Sequence, residues 1–431
     1  MPYDLADVSR PLPPFDRPPE PRHQPAKGVV KALFLLVAAG VVAGCAAAGG
    51  SLAPSVTHGG PRDGANISRA LPAASPTPFP ADQAGCGPGP ANGASCGVTK
   101  NPNHPASKTP SGGLSPAQLR AAYGLPAAST TAVAGPAIAI VVAFDNPTAE
   151  QDLATYRSQF GLPACSSQNG CFQKVIIAPT PGNPPPAPAP KKNSADATTW
   201  ADERALDLAM ASAACPNCRL VLVEAVGEDL DSLANAVNVA ASYGPAAISN
   251  SWGVPEGGGN VLNIDSGAQS AFNHPGIAIT ASAGDLGAGA VQFPASSPYV
   301  TSVGGTTLTA DATAARGWDE TAWTGSGNGC SIMVSLPSWQ GTAAPCNGSR
   351  SVPDISMLAD STVGAAVYNT AEKGWIVLGG TSLGAPFVAG LYAAAANYGA
   401  GTVGAPNIYA NLGQFNAVPG TNGSPNGLAG F

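Results

Sequence analysis

The sequence predicts an α/β protein, doubly wound, with a mainly parallel sheet and helices on both faces. Continuous apolar runs of strand length recur without alternation, as in "AIAIVVAF" (137–144) and "RLVLVEAV" (219–226), the pattern of strands buried on both faces. Segments of helical spacing separate these runs, and alternation of this kind implies a parallel sheet covered on both sides. Several residues able to do chemistry stand at or just beyond the carboxyl ends of the strands, where such sheets form their sites.

Taken in order, the folded part opens at 113. "LSPAQLRAAYGLPA" is a short helix with Ser115 as N-cap and Pro116 in its first turn. The strand 137–144 follows, then the helix "PTAEQDLATYRSQFG" and the Pro-rich loop "APTPGNPPPAPAPKKNSADA". "TTWADERALDLAMASAAC" is a helix leading to the strand 219–226, and "LDSLANAVNVAASYG" a helix ended by Gly244. The strands "AAISNSWG" (246–253), "GIAITASAGD" (276–285) and "YVTSVGGTTL" (299–308) continue the series, with "AQSAFNHPG" as the helix before the second. Late in the chain "WIVLGG" runs into "TSLGAPFVAGLYAAAANYG", a helix of small residues that can pack closely.

Upstream of 113 the character is different. Residues 1–26 are a polar, Pro-rich lead. Residues 27–45 form an export segment: Lys27 and Lys31 precede an apolar run from Ala32 to Gly44, short for a membrane span and right for a signal core. "VAGC" (42–45) resembles a lipoprotein box, in which Cys45 would carry a lipid anchor; an ordinary signal peptide or an uncleaved signal anchor fits the same residues. Residues 46–112 read as a Pro/Gly-rich linker or tether. Setting Cys45 aside, eight cysteines fall into local pairs, Cys86/Cys96, Cys165/Cys171, Cys215/Cys218 and Cys330/Cys346, the arithmetic of short-loop disulfides in an oxidising compartment. "CPNC" (215–218) could also be a redox or half-zinc motif, but no second pair completes a zinc site.

Of the 431 residues, 10% are charged, and 19 basic against 26 acidic residues leave a net charge of −7. No basic stripe or Lys/Arg cluster points to nucleic acid. Few ionisable groups mean little change of self-repulsion as pH falls, which suits an acidic milieu.

The chemistry centres on "GGTSLGAP" (379–386), the manner in which subtilisin-type serine peptidases present their nucleophile. Ser382 opens a helix, whose N-terminal amides favour negative charge; read plainly it is an N-cap serine. A serine nucleophile normally needs a histidine, and none of the four here, His23, His58, His104 and His274, stands in a suitable setting. Glu203 and Asp207 are four apart in an otherwise Ala/Leu/Met-rich helix and so share one face. They are either a solvated acidic face or two carboxyls that share one proton and act as general base in acid. Asp285 ends an apolar strand. It is either a turn residue before "LG" or a buried acid that keeps its proton and donates to an oxyanion.

These residues stand in blocks that together resemble one family. "SPAQLRAAYGL", "AIAIVVAFDNPTAEQDLATYRSQFGLP", "WADERALDLAMA", "ISNSWG", "SAGDLGA", "FPASSPYVTSVGGTTL", "ETAWTGSGNGCS", "RSVPDISMLAD" and "GGTSLGAPFVAG" occur in the order found in the sedolisin, or serine-carboxyl, peptidases, which have a subtilisin-like fold and act in acid. The resemblance covers 113–431. It implies that Ser382 is the nucleophile, Glu203 its general base, Asp207 the residue that orients Glu203, and Asp285 the oxyanion donor beside the Ser382 amide. It implies protein or peptide substrates, with membrane contact only through an anchor. Two features depart from the family. Residues 46–112 are too short and too rich in Pro and Gly to be its inhibitory prodomain. Its calcium site looks incomplete, with Asn416 where an Asp is expected and the sequence stopping at Phe431 where a second would come. The resulting expectation is an exported serine-carboxyl endopeptidase; the alternatives are a catalytically silent subtilisin-fold binding protein of the cell envelope and a cell-wall interaction protein working through its tether.

Overall fold

A computed structural model describes residues 93–128, 135–177, 195–256, 266–314, 316–341, 346–396 and 403–418. The lead, the export segment with Cys45 and the linker as far as residue 92 lie outside them. Strands β1 (Ser95–Cys96) and β2 (Thr99–Lys100) come first, then α1 (Pro116–Ala122). There follow β3 (Ala137–Ala143), α2 (Ala149–Gln159), β4 (Phe172–Ile176), α3 (Ala195–Ala214), β5 (Arg219–Ala225), α4 (Leu230–Ser242), β6 (Ala247–Asn250) and β7 (Trp252–Pro255). Next are α5 (Ser266–Ser270), β8 (Ala278–Ser282), β9 (Gln292–Phe293), β10 (Thr301–Ala310), β11 (Trp318–Ala322), β12 (Gly329–Ser335) and β13 (Ser349–Val352). The described chain closes with β14 (Ile355–Leu358), β15 (Ala365–Asn369), β16 (Gly374–Gly379), α6 (Thr381–Ala396) and α7 (Ala405–Ala410).

The central sheet runs β11-β10-β8-β6-β3-β5-β4, with β14 also on β10. All its pairings are parallel except that of β11, so the doubly wound, mainly parallel sheet read from the sequence is the one observed. β3 lies in the middle because all seven of its apolar residues are buried, between β5 and β6. From β3 the chain builds β4 and β5 on one side and β6, β8 and β10 on the other, which puts the topological switch at the β3–β6 boundary. The carboxyl ends of β6 and β8 therefore face the crevice where α/β sheets bind ligands.

Local signals place the helices. Ser115 and Gln118 make a reciprocal capping box, the Ser115 side chain accepting from Gln118 N and the Gln118 side chain accepting from Ser115 N at 2.9 Å. Asp229 caps α4 by accepting from Ser232 N at 2.9 Å, and Gly244 ends that helix with φ +60°. α6 comes close to α3 because it is built of small residues: a Cβ added at Gly390 would stand 2.5 Å from Ala214 Cβ.

Three regions differ from the sequence reading. The run 246–253 breaks at Ser251 into β6, in the main sheet, and β7, which pairs with β1 and β9 instead. The helix expected over "AQSAFNHPG" ends at Ser270; Pro275 disfavours helix at the residue before it, and Ile277 N closes a turn on His274 O at 3.0 Å. The folded body also extends upstream of 113, since Ala94 and Val98 are buried and β2 pairs with β16. Disulfides join Cys165–Cys171, Cys215–Cys218 and Cys330–Cys346, so "CPNC" is a closed cystine. The pair Cys86/Cys96 falls partly outside the described residues. Among the described residues no helix is long and apolar enough to cross a membrane.

Candidate active site

Two helices and three loops meet at the carboxyl edge of the sheet. Ser382 is the second residue of α6, reached from β16 through Gly380, whose φ of +95° suits glycine. Glu203 and Asp207 lie one turn apart on α3, and all three residues are 0% exposed. Ser382 Oγ donates to Glu203 Oε2 at 2.9 Å and lies 3.4 Å from Ser251 O. Asp207 is held by Ser251, whose hydroxyl donates to Oδ1 at 2.6 Å. The remaining oxygens, Glu203 Oε1 and Asp207 Oδ2, are buried without a donor.

Burial pushes the Glu203 carboxyl well above its ordinary range, and the charge of Asp207 adds to this; the hydrogen bond from Ser382 opposes it. Burial also pushes Asp207 well up, against the Ser251 hydrogen bond and the charge of Arg204. Arg204 is turned away from the serine. It pairs with Glu224 at 3.0 Å and donates to Ala143 O and Phe144 O at 2.8 and 2.7 Å.

Asp285 follows β8 across Gly284. Its Oδ1 accepts from both Thr381 N and Thr381 Oγ1 at 2.8 Å, and Thr381 Oγ1 accepts from Gly284 N at 3.0 Å. The residue keeps some exposure, but its Oδ2 is buried and lacks a donor. Burial pushes this carboxyl up to about 7, the two Thr381 hydrogen bonds opposing. Since Oδ1 is committed as a double acceptor, a proton on the group belongs on Oδ2.

The structure thus gathers Ser382 and Glu203 into one hydrogen bond, sets Asp207 on the same helix face, and ties Asp285 to the residue before the serine. Three further residues belong to the site. Ser251 and Thr381 lay inside the sequence blocks "ISNSWG" and "GGTS", at a strand end and beside the serine, where position was the available signal. Gly97 carried none. Its carbonyl accepts from Ser382 N at 3.1 Å. Of the described histidines, His274 faces Asn238 at 3.2 Å and His104 packs on Gly112. The implied calcium set falls largely after residue 418, outside the described residues. Asn416 offers an exposed neutral amide, and among the described residues no three His, Cys, Asp or Glu side chains gather where a metal could sit.

No family model matches the chain. Kumamolisin from Bacillus sp. (strain MN-32) is 35% identical over 214 residues, 44% of this chain and 38% of the relative. Sedolisin from Pseudomonas sp. (strain 101) is 38% identical over 126 residues, 27% of this chain and 21% of the relative. Xanthomonalisin from Xanthomonas sp. (strain T-22) is 34% identical over 127 residues, 25% and 15%. The matched part therefore spans less than half the length of each. The solved structure of Pseudomonas sedolisin, a serine-carboxyl proteinase complexed with two molecules of pseudo-iodotyrostatin, superposes with a TM-score of 0.60 at 25% identity, covering 74% of this chain and 92% of that one.

Proposed function

The chain belongs to the sedolisin, or serine-carboxyl, peptidase family, and on that premise we propose that it is an exported endopeptidase that cleaves peptide bonds in acid through an acyl-enzyme on Ser382. The observation that carries this is the 2.9 Å hydrogen bond from Ser382 Oγ to Glu203 Oε2, a buried carboxylate where a serine peptidase needs its base. As Oγ attacks the carbonyl carbon, its proton passes to Glu203. Asp207, one turn along, shares a second proton with Glu203 through the two oxygens that lack donors, which keeps one negative charge, not two, on the pair. The oxyanion would be received by Ser382 N and by protonated Asp285 Oδ2. Glu203 then returns its proton to the leaving amine, and water reverses the sequence to free the serine.

The acid optimum follows from Asp285, which donates only while protonated. Activity is lost as pH rises through its pKa of about 7. Export rests on the cystines, which belong to oxidising compartments, and on the segment 27–45, where Cys45 would be the site of any lipid anchor. A silent binding protein is favoured by one observation, the Ser382 amide already holding Gly97 O. Casein digested at pH 3–5 by the wild type and by Ser382→Ala separates the two readings. Cleavage by the wild type alone is expected. Absence of wild-type cleavage would end the peptidase reading, and a rate still climbing toward pH 8 would remove protonated Asp285 as the oxyanion donor.

A further inference from the structure

Burial raises both carboxyls of the Glu203–Asp207 pair, yet a general base has to be ionised in the same acid range in which Asp285 keeps its proton. A buried negative charge needs a partner, and the buried cations among the described residues are few. Arg120 and Arg157 are engaged at the far end of α3. Arg120 donates to Ala213 O and Ala214 O at 3.0 and 2.7 Å, and Arg157 to Ser212 Oγ and Pro216 O at 2.8 and 2.6 Å. Arg350 pairs with Asp354 at 2.5 Å. Lys100, the cation on Asp202, is shared with Glu372, each at 2.8 Å. Arg204 is the buried arginine that stands between the two acids in the sequence of α3.

At 3.6 residues per turn Arg204 projects about 60° from Asp207 and about 100° from Glu203 around the helix axis, and residues three apart have Cβ atoms about 5–6 Å from one another. Its charge accordingly acts on Asp207. The guanidinium is fixed. Nη2 donates to Ala143 O and Phe144 O at 2.8 and 2.7 Å, and Nε pairs with Glu224 Oε1 at 3.0 Å. Glu224 also accepts from Asn146 N at 3.0 Å and pairs with Lys174 at 3.1 Å, and Lys174 pairs in turn with Asp145. Two cations and two acids leave this cluster neutral when all are ionised. Burial pushes Glu224 up to about 7, so below that pH the cluster carries one surplus positive charge. From α2, Asp152 also faces Arg204; burial raises its carboxyl, which accepts from Thr148 Oγ1 at 3.0 Å and from Thr370 Oγ1.

We propose that Arg204 is a positioning residue for the reaction, the fixed positive charge that keeps the Glu203–Asp207 pair ionised in acid without touching substrate. The proposal rests on the peptidase reading above. Asp207 has the Ser251 hydroxyl at 2.6 Å on one side and the Arg204 charge on the other, so the pair resists its second proton and a base remains for Ser382. The arrangement is matched to the oxyanion donor. As pH falls through about 7, Asp285 gains its proton and Glu224 loses the negative charge that offsets Arg204. One fall in pH thus arms the donor and strengthens the charge behind the base.

The test reads kcat/KM against pH on a soluble casein peptide, since the acid limb reports ionisation of the base in the free enzyme. Arg204→Met removes the charge and should move that limb to higher pH by about 1 pH unit. Arg204→Lys keeps a charge while losing the planar fork, and should return most of the shift. Glu224→Gln breaks the same cluster but leaves the guanidinium charged, and should not move the limb up. If Arg204→Met does not fold, Arg204→Met combined with Glu224→Met replaces both members of the buried pair with apolar side chains, a change that buried pairs tolerate, and the same upward shift is expected. A limb that stays in place without Arg204, a lysine variant displaced as far as the methionine one, or an upward move in Glu224→Gln would overturn the proposal and leave the peptidase reading standing. If the wild type cuts nothing at any pH, the peptidase reading fails. Titration of the 13C-labelled Asp207 carboxyl, assigned against Asp207→Asn, then reads the charge directly, and a midpoint alike in wild type and Arg204→Met overturns the role of Arg204 as well.

Discussion

In the proposed mechanism Asp285 is the residue whose proton sets the sign of the pH dependence. Alanine at 285 removes the donor and should lower kcat by about 10²–10³-fold. Asparagine is the sharper probe. Its carbonyl oxygen can keep both Thr381 hydrogen bonds, and its amide donates from the Oδ2 position at every pH. Asp285→Asn should therefore retain activity and lose the fall near pH 7, as read from kcat/KM against pH; a profile still falling there would move the titration to another group. Glu203→Gln can neither take the serine proton nor share one, and a loss of about 10²–10⁴-fold in kcat is expected. Ser251 is a positioning residue, acting through Asp207. Deleting its hydroxyl takes from Asp207 the donor at 2.6 Å, a charge-assisted hydrogen bond of about 1.5–3 kcal/mol. The Asp207 carboxyl then moves further up. Ser251→Ala should move the acid limb of kcat/KM to higher pH by about 1–2 pH units, which a merely structural contact would not do.

At the scale of elements, the site depends on α6 sitting tight against the sheet. A Cβ at Gly384 would be 2.7 Å from Val303 Cγ1 and 3.0 Å from Met357 Cγ, so Gly384→Ala overpacks that face. It should destabilise by about 1–3 kcal/mol, read from urea unfolding, and adding Val303→Ala should recover part of the loss. An unchanged midpoint would mean that α6 stands off further than this spacing. The same packing explains what was legible in the sequence. "AIAIVVAF" and "RLVLVEAV" announce strands because burial on both faces leaves no polar alternation to blur the pattern. Glu203 and Asp207 stand out because helix geometry fixes residues four apart on one face. Neither rule reaches Gly97, whose place over Ser382 depends on the long-range pairings of β1 and β2, and a Gly/Pro-rich composition carries no trace of which strands its residues will join. The break at Ser251 escaped for a related reason: "AAISNSWG" reads as a single strand, and only the pairing of Trp252 and Gly253 with β1 turns its end out of the main sheet.

At the scale of the molecule, the protons that the proposed chemistry needs are also tied to folding. Among the described residues, burial raises the carboxyls of Glu203, Asp207 and Asp152, and takes Asp202 to about 6 and Glu224 and Asp285 to about 7. Asp145 and Asp311, which are lowered, face solvent more and weigh less. A carboxyl raised in the folded state holds its proton where the unfolded chain, titrating near 3.8 to 4.5, has released it. Between those values and about 7 the folded state binds more protons than the unfolded one, so stability falls as pH rises. The contribution is complete below about pH 4 and is lost through the window in which Asp202, Glu224 and Asp285 ionise. A carboxyl whose pKa is tenfold weaker in acid strength when folded contributes on the order of 1.4 kcal/mol. The urea midpoint should accordingly be higher at pH 4 than at pH 8, measured on Ser382→Ala so that digestion cannot distort the curve. A midpoint that climbs from pH 4 to pH 8 would show that the raised carboxyls do not set the pH dependence of stability. Glu224→Gln distinguishes the contributors outside the site, because it removes one raised carboxyl without touching Ser382, Glu203 or Asp285, and it should flatten the slope between pH 5 and pH 8.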